Sequence, residues 1–245
     1  MKLNRILISA AFFLSLAFGG CTATFDPSLR STELGMGGLP TVKDVREGLE
    51  VSLEEYVSAN KSRRAFDADI ASSGVLPLLL RVENNGAREY KVDRNEIKAF
   101  IGGQALRPIY GYEAAKQGAS REYVGKALIN TAMWGPLGMV FGLPTIVGSA
   151  AHTREVNKKI EQHFENMEFA GAMVKPNETA SGFVYFRFPQ RSQQLENLTV
   201  ELTVQANGYE EGNGKQLGYK FSFPTLGVSG PAYSPAKYPE NGAHE

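Results

Sequence analysis

The sequence predicts a mainly β protein, an antiparallel immunoglobulin-like β-sandwich interrupted by an apolar helical hairpin. Two observations predict this fold. Short segments in which apolar and polar residues alternate occur before residue 109 and after residue 170, as in strands with one buried face. Between these blocks, the 27 residues 127–153 contain no Asp, Glu, Lys or Arg. We therefore expect one β-sandwich domain over residues 44–224, with a helical insert at about 111–168.

The chain begins with a leader. Lys2 and Arg5 precede an apolar run from Ile6 to Phe18, which is followed by two small residues and then by Cys21. A basic start, an apolar run and small residues before the cut are typical of a secretory signal peptide. We assign residues 1–20 to a signal peptide. The alternative is an uncleaved signal anchor, in which Cys21 has no role.

The end of the leader has the residues of a known processing motif. Phe18-Gly19-Gly20-Cys21 resembles the lipobox of bacterial lipoproteins, with Phe18 in the position usually held by leucine. The resemblance implies that Cys21 carries a diacylglyceryl thioether and an amide-linked acyl chain, which together form a stable membrane anchor. Thr22, and not an aspartate, follows the cysteine. The resemblance implies that a lipoprotein of this kind is transferred to the outer membrane and does not stay in the inner one. We therefore expect a cell-envelope protein, lipid-anchored on the periplasmic side.

Composition limits the classes of partner and the sources of stability. Removal of residues 1–20 leaves 225 residues, and because Lys2 and Arg5 leave with the leader, 24 basic residues then face 26 acidic ones. This balance argues against an electrostatic attraction to nucleic acid. Cys21 is the only cysteine, so no internal disulfide is available and packing alone must stabilise the fold.

The first predicted elements follow a linker. Residues 21–43 mix Thr, Ser, Pro and Gly without apolar periodicity, which predicts a lipidated tether. Apolar residues alternate at Leu49, Val51 and Leu53, as in a half-buried strand. Ser62 to Ser73 predicts a short helix that packs through Phe66 and Ile70.

A longer strand begins at Val75. Leu76, Leu78, Leu80 and Val82 share one face of it. Asn85-Gly86 then predicts a type I′ hairpin to a return strand through Tyr90 and Val92. Another strand is expected from Ile97, with Asp93, Asn95 and Glu96 as turn residues before it.

The second block predicts three strands and a tail. Phe183 to Phe188 is apolar on both faces, as in a strand that is covered on both sides. Leu198 to Val204 and Leu217 to Phe223 each alternate with polar residues, as expected of hairpin partners. We assign residues 225–245, which are rich in Pro and Gly, to a disordered tail.

Three segments together resemble envelope lipoproteins of proteobacteria: the LRVENNG strand end, the glycine-rich apolar insert and the PNETASGFVYF strand. The resemblance covers most of the mature chain. It implies a fold and a cellular address, but no catalytic activity.

The insert is long enough to cross a bilayer core but is interrupted by Pro136 and Pro144. Since strands of one sandwich lie on both sides of it, we expect it to return to the side that it left. Three roles stay open: packing on its own domain, contact with the membrane, and self-association. Trp134 suits a membrane interface, and Gly138 and Gly142 have the spacing of closely packed helices. At its end, one helical face contains four apolar residues: Val156, Ile160, Phe164 and Met167.

Residues that would indicate enzymatic chemistry are sparse. His152, His163 and His244 have no second ligand at metal spacing, and no serine lies in a Gly-x-Ser-x-Gly elbow. Asp67 and Asp69 do not continue as a calcium loop. We expect no cofactor, no metal and no enzymatic activity. The expected function is that of an interaction or structural module with an envelope protein partner, and the alternative is a membrane-interacting or self-assembling lipoprotein whose residues 127–151 contact the lipid leaflet.

Overall fold

A computed structural model describes residues 25–30, 33–34, 42–120, 143–188, 194–207, 215–224 and 226–227, with the backbone alone described for 143–153, 194 and 227. Strands dominate these residues and form two antiparallel sheets, so the prediction of a mainly β antiparallel fold is confirmed. The first sheet contains, in spatial order, β1 (Val42–Arg46), β2 (Leu49–Glu55), β3 (Val75–Asn84), β8 (Thr179–Arg187) and β6 (Arg107–Ile109).

The second sheet contains, in spatial order, β11 (Gln216–Ser222), β10 (Leu198–Ala206), β4 (Tyr90–Ile101) and β5 (Gln104–Ala105), and β7 (Ala172–Val174) also pairs with β4. A small additional pair joins β9 (Gln194–Leu195) to β12 (Leu226–Gly227). The helices are α1 (Ala59–Phe66), α2 (Gly111–Gln117) and α3 (Leu143–Met167), with a 3₁₀ turn at Ala71–Ser73.

The inner faces of the two sheets share one apolar core. Strand β3 contributes Leu76, Leu78, Leu80 and Val82 from the first sheet, as the alternation predicts. The second sheet contributes a matching set: Val92, Ile97, Ala99, Leu198, Val200, Leu202, Val204, Leu217, Tyr219 and Phe221. Burial of each large aliphatic side chain stabilises the fold by about 1.5–3 kcal/mol. This core therefore joins the sheets face to face.

A second core lies on the outer face of the first sheet, under the helices. Phe183 and Tyr185 point into it from β8, whereas Val184 and Phe186 of the same strand point into the first core. The prediction that this strand is covered on both sides is thus confirmed. The helices contribute Phe66 from α1 and the stripe Val156, Ile160, Phe164 and Met167 from α3, all of them buried. We call α1, α2 and α3 the helical layer.

The predicted Asn85-Gly86 hairpin is wrong. Strand β3 pairs with β2 and β8, while β4 pairs with strands of the other sheet, so the chain crosses between sheets here. Neither Asn85 nor Gly86 has the positive φ of a type I′ turn. Gly86 instead packs against Gly48, and a Cβ added to Gly48 would lie 2.7 Å from the Cα of Gly86.

In the described part of the chain, two turns have consecutive positive φ angles: Gly102-Gly103 between β4 and β5, and Glu47 (51°) with Gly48 (81°) between β1 and β2. The second of these is the one next to Gly86. Glycine adopts such an angle without steric cost, and Glu47 is held there by its contacts. Its backbone oxygen accepts a hydrogen bond from the Tyr90 hydroxyl at 3.2 Å, and its carboxylate pairs with Lys215. This turn thereby contacts both sheets.

The region predicted as two strands, through Tyr90 and from Ile97, is one strand with a bulge. Against β10, Val92 is opposite Val204 and Ile97 is opposite Leu202, so β4 has extra residues at 93–96. The Asp93 carboxylate accepts the Asn95 N–H at 2.9 Å, which stabilises the bulge. Turn-forming residues therefore mark a bulge here rather than a connection.

Helix α1 ends before the predicted Ser73. Asp67 adopts a left-handed conformation (φ 51°) and ends the helix after Phe66. The buried Ser62 hydroxyl donates to the Ala68 carbonyl and accepts the Ile70 N–H, which folds the chain back. Phe66 and Ile70 both lie in the second core, as predicted.

Candidate functional site

Each residue of the predicted site lies outside the described residues: Cys21, Trp134, Gly138 and Gly142. The structure does describe the chain near these positions. Phe25 lies four positions after Cys21, and α2 and α3 border the apolar stretch. The candidate site is therefore built from two regions, the base of the insert and the N-terminal segment.

The two ends of the insert meet at a buried ion pair. One Arg94 guanidinium nitrogen lies 3.0 Å from Glu168 Oε1, and both side chains are about one-eighth exposed, at 12% each. The Arg94 guanidinium also donates to the Ile109 carbonyl at 2.7 Å. Glu168 Oε2 accepts the Gly111 N–H at 2.8 Å. Gly111 and Glu168, the first and last residues of the insert, are thus tied to each other and to the bulge of β4, and we call Arg94, Gly111 and Glu168 the clamp.

Electrostatics and sterics suit this pair to a structural role. Burial raises the pKa of Glu168, while the Gly111 N–H and the Arg94 charge oppose that rise. A Cβ on Gly111 would lie 2.9 Å from the Phe164 carbonyl oxygen and 3.0 Å from Glu168 Oε2, so the close approach requires glycine. The sequence analysis missed Arg94 and Glu168. Their signal was a basic residue within a bulge and an acidic residue directly after an apolar helical stripe.

Helices α2 and α3 run antiparallel from this base. Gly111 contacts Phe164 and Glu168, and one turn later Lys116 lies 4.0 Å from Glu161. The insert therefore packs on its own domain at its base. Residues 121–142, which include the first part of the uncharged stretch, lie outside the described residues.

Two exposed tyrosines mark the same region. Tyr110 and Tyr112 are 52% and 41% exposed, and their rings stack 6.1 Å apart. Arg94 lies over the Tyr110 ring at 4.3 Å and Lys116 over the Tyr112 ring at 5.4 Å, which are cation–π distances. Each ring therefore has a cation of the same region over it and remains partly exposed.

A second buried charged cluster joins β2 to α1. The Lys61 ammonium lies 3.2 Å from Glu54 Oε1, 2.9 Å from Glu55 Oε1 and 3.1 Å from the Glu55 carbonyl oxygen. The two contacts with Glu55 are hydrogen bonds, whereas the contact with Glu54 is an ion pair without hydrogen-bond geometry. Burial raises the pKa of Glu54, against the opposing effect of Lys61, and burial likewise raises the pKa of Tyr56. The cluster anchors α1, because its lysine joins two carboxylates of β2 to this helix.

The N-terminal segment, of which residues 25–30 and 33–34 are described, lies on the helical layer. Leu29 is 4% exposed within the second core, and its N–H donates to the Arg64 carbonyl at 2.7 Å. Phe25 packs edge-on against His163 of α3, with ring centroids 5.3 Å apart. Burial lowers the pKa of His163, whose Nε2 lies 2.7 Å from the Ala65 carbonyl oxygen. Part of the predicted tether thus contacts the folded domain.

On the opposite side of the domain, the outer face of the second sheet is polar. Lys98, Glu201 and Lys220 form one row across β4, β10 and β11. Lys220 pairs with Glu201 at 2.9 Å, and both side chains are well exposed. Cross-strand pairs of opposite charge stabilise a sheet modestly, so the row is compatible with a solvated face.

Within the described ranges, no three His, Cys, Asp or Glu side chains lie close enough together to hold a metal ion. For that same part of the chain, no helix combines the length and the apolar character that are needed to cross a membrane.

Comparisons with known proteins give a distant likeness to a solved structure. No protein-family model matches the chain, and no curated protein matches it. Among solved structures, the chain is similar to ycdA from Bacillus subtilis, described as a candidate lipoprotein, with 11% identity and a TM-score of 0.33. The match covers 74% of this chain and 38% of that one, so the chain spans well under half of that protein's length. A likeness at this level assigns neither fold nor function.

Proposed function

We propose that this protein is a lipid-anchored, non-enzymatic protein of the cell envelope that acts as an interaction or structural module. Its place is the periplasmic side of a membrane, the outer membrane rather than the inner one. The observation that supports the anchor is Cys21, the only cysteine, placed directly after an apolar leader and two glycines. The proposal includes an immunoglobulin-like relationship of the two sheets, which is supported by their shared apolar core.

The non-enzymatic part of the proposal is supported by how the buried charges are used. Arg94 and Glu168 tie together the two ends of the insert, and Lys61 joins two carboxylates to α1. Each of these charged groups is ion-paired within the protein. Catalysis would require a titratable group that is both activated and open to a substrate.

The interaction surface is the outer face of the second sheet. This face is polar, and the row of Lys98, Glu201 and Lys220 crosses it. Alternating charges on a flat face favour partner selection through electrostatic complementarity. We expect Glu201→Lys to weaken capture of an envelope partner in intact cells by crosslinking. The exposed Glu178→Lys serves as a charge-matched control, and equal capture by both variants would contradict this assignment.

A second candidate function is contact of residues 127–151 with the lipid leaflet, or self-assembly through them, with Trp134, Gly138 and Gly142 as contact residues. It is favoured by the 27 uncharged residues and by the clamp at the insert's base, from which the apolar stretch leaves and to which it returns. Trp134 is the only tryptophan, so its fluorescence reports on this stretch alone. In a soluble Cys21→Ser form, vesicles should shift the emission to the blue, and an unchanged spectrum would exclude lipid contact.

The anchor itself is tested with Cys21→Ser, using Thr22→Ser as the matched control. The parent and the control should carry acyl mass on Cys21 and should stay with membranes after a carbonate wash. Cys21→Ser should lose the acyl mass and leave the membrane fraction, because two or more acyl chains supply the binding energy. Firm attachment of Cys21→Ser, with no acyl mass on the parent, would refute the proposal.

A further inference from the structure

We propose that the N-terminal segment fixes the orientation of the domain on the membrane, with the helical layer facing the lipid leaflet that holds Cys21. The outer face of the second sheet then points away from the lipid. This inference rests on the proposed lipid anchor and adds to it a specific lipid-facing surface. A free tether would leave every face of the domain able to approach the bilayer.

The segment is attached to the helical layer at several points. The Leu29 side chain is buried in the second core, and its N–H donates to the Arg64 carbonyl of α1. The Asp26 N–H donates to an Asp67 carboxylate oxygen at 2.9 Å. At the far end, the Leu34 carbonyl oxygen lies 3.4 Å from the Ser181 hydroxyl on β8. These contacts include apolar burial as well as hydrogen bonds, so the segment is an integral part of the domain surface.

The distance from Phe25 to the lipid is short. Cys21 lies four positions before Phe25, and an extended chain spans at most about 3.6 Å per residue, or roughly 14 Å here. The domain is thicker than this reach. Stacked sheets lie about 10 Å apart, and a helix with its side chains adds about 10–12 Å. The chain is therefore too short for the outer face of the second sheet to reach the leaflet while Phe25 stays on the helical layer.

Charge on the helical layer is compatible with this orientation. Arg30, Arg63 and Arg64 are exposed beside the docked segment. Basic residues near a bilayer are attracted to anionic headgroups. Two acidic residues, Asp26 and Asp67, lie between them and are joined through the Asp26 N–H. Glu33 of the segment adds a third acidic residue, so charge beside the segment is balanced, and the orientation rests on the attachment of the segment.

The orientation assigns different tasks to the two sides of the domain. The insert belongs to the helical layer, because α2 and α3 pack on the first sheet through the second core. Its apolar stretch therefore starts and ends on the lipid-facing side. The row of Lys98, Glu201 and Lys220 lies on the other side, where a soluble or membrane-anchored partner can reach it.

Single-thiol labelling tests the orientation. Because acylated Cys21 is the only cysteine, Arg63→Cys and Lys220→Cys each add one free thiol, on the helical layer and on the second sheet respectively. The lipidated proteins are labelled with a fluorophore and reconstituted in phosphatidylethanolamine and phosphatidylglycerol vesicles that contain a headgroup quencher. We expect quenching at position 63 to exceed that at position 220 at least threefold. Equal quenching, or stronger quenching at 220, would overturn the inference.

Two insertions separate a docked segment from a free tether. A twelve-residue Gly/Ser linker between Thr24 and Phe25 lengthens the path to the lipid by up to about 40 Å and should equalise the two signals. The same linker between Gly37 and Gly38 follows the docked residues and should leave the difference intact. If both insertions act alike, the docked segment does not set the orientation, and the inference fails.

Mass analysis of Cys21 in the same samples distinguishes the two levels of failure. Acylated Cys21 with equal quenching refutes the orientation and leaves the proposed anchor standing. Absence of acyl mass refutes the anchor, and the orientation falls with it.

Discussion

Gly182→Ala should destabilise the domain strongly, because the insert's exit lies directly on this residue. A Cβ at Gly182 would be 2.7 Å from the backbone nitrogen of Phe169 and 2.8 Å from its Cα, and backbone cannot swing aside as a flexible side chain can. The Phe169 N–H donates to the Phe183 carbonyl at 2.8 Å, so a shift of Phe169 also weakens this bond. Gly182 has an ordinary φ, and the added methyl group is therefore the whole perturbation.

The magnitude follows from two contributions. Overpacking a tightly packed site costs about 1–3 kcal/mol, and loss of one hydrogen bond adds about 1 kcal/mol. A total of about 3 kcal/mol corresponds to a fall in Tm of roughly 6–12 °C for a domain of this size. The assay is urea unfolding of the protein without its leader, followed by circular dichroism, with thermal melts in parallel.

Gly218→Ala is the matched control. Gly218 also lies in a strand, in β11, but a Cβ there would meet no atom within 4 Å. Its replacement should be neutral, or stabilising by up to about 1 kcal/mol through a less flexible unfolded chain. If the two variants unfold at the same urea concentration, the proposed contact between the insert's exit and β8 is incorrect.

Three further predictions concern buried polar groups. Asn84→Ala should lower the free energy of unfolding in urea by about 1–3 kcal/mol, because it removes the hydrogen bonds to the Arg88 and Val174 carbonyls. The control Asn85→Ala changes an exposed residue and should lower it by under ~0.5 kcal/mol. Equal losses in the two variants would contradict this prediction. Because the pKa of His163 is lowered in the folded protein, the contribution of this residue to stability is present above pH 6.5 and is lost as the pH falls. The wild type should therefore lose stability relative to His163→Gln between pH 7.5 and about 5.5. Parallel curves of unfolding free energy against pH for the two proteins would refute this. Because the pKa of Glu54 is raised in the folded protein, the contribution of this residue to stability is present below pH 4.5 and is lost as the pH rises. Glu54→Gln should therefore gain stability relative to the wild type from about pH 4 to 7. A difference in stability that stays constant with pH would count against burial as the cause.

Strand positions could be predicted from the sequence because each depends on a local repeat of apolar residues. The alternation from Leu76 to Val82 and the two-sided apolar run from Phe183 to Phe188 both lie where the pattern places them. The helical stripe from Val156 to Met167 is buried for the same reason. A period of two or of 3.6 is enough to define which side of an element is buried.

Connections were harder, because distant contacts decide them. Asn85-Gly86 has the residues of a tight hairpin, but the packing of Gly86 against Gly48 directs the chain to the other sheet. Conversely, Glu47-Gly48 forms a tight turn between β1 and β2, although glutamate rarely adopts a positive φ. The conformational preference of the turn residues therefore contributes less to the choice of turn than the contacts that the turn makes across the domain.

The candidate site was only partly predictable. The lipobox-like residues at Cys21 are contiguous, so a motif can identify them, whereas Arg94 and Glu168 meet only after the insert has folded back. Residues 25–34 contain just three large apolar side chains, at Phe25, Leu29 and Leu34, and this spacing does not distinguish a docked segment from a linker. Docking becomes visible only when the second core that receives Leu29 is known.

The clamp at the base of the insert has a consequence for how such proteins can diverge. Entry and exit follow each other along one edge of β8: Ile109 is opposite Tyr185, and Glu168 is opposite Phe183. A loop anchored at two adjacent points can be lengthened, shortened or exchanged at its tip without moving the sheets. Only the residues of the clamp and the buried stripe of α3 must be kept. Natural variants should therefore differ most between residues 121 and 153, and grafted tips should be tolerated there.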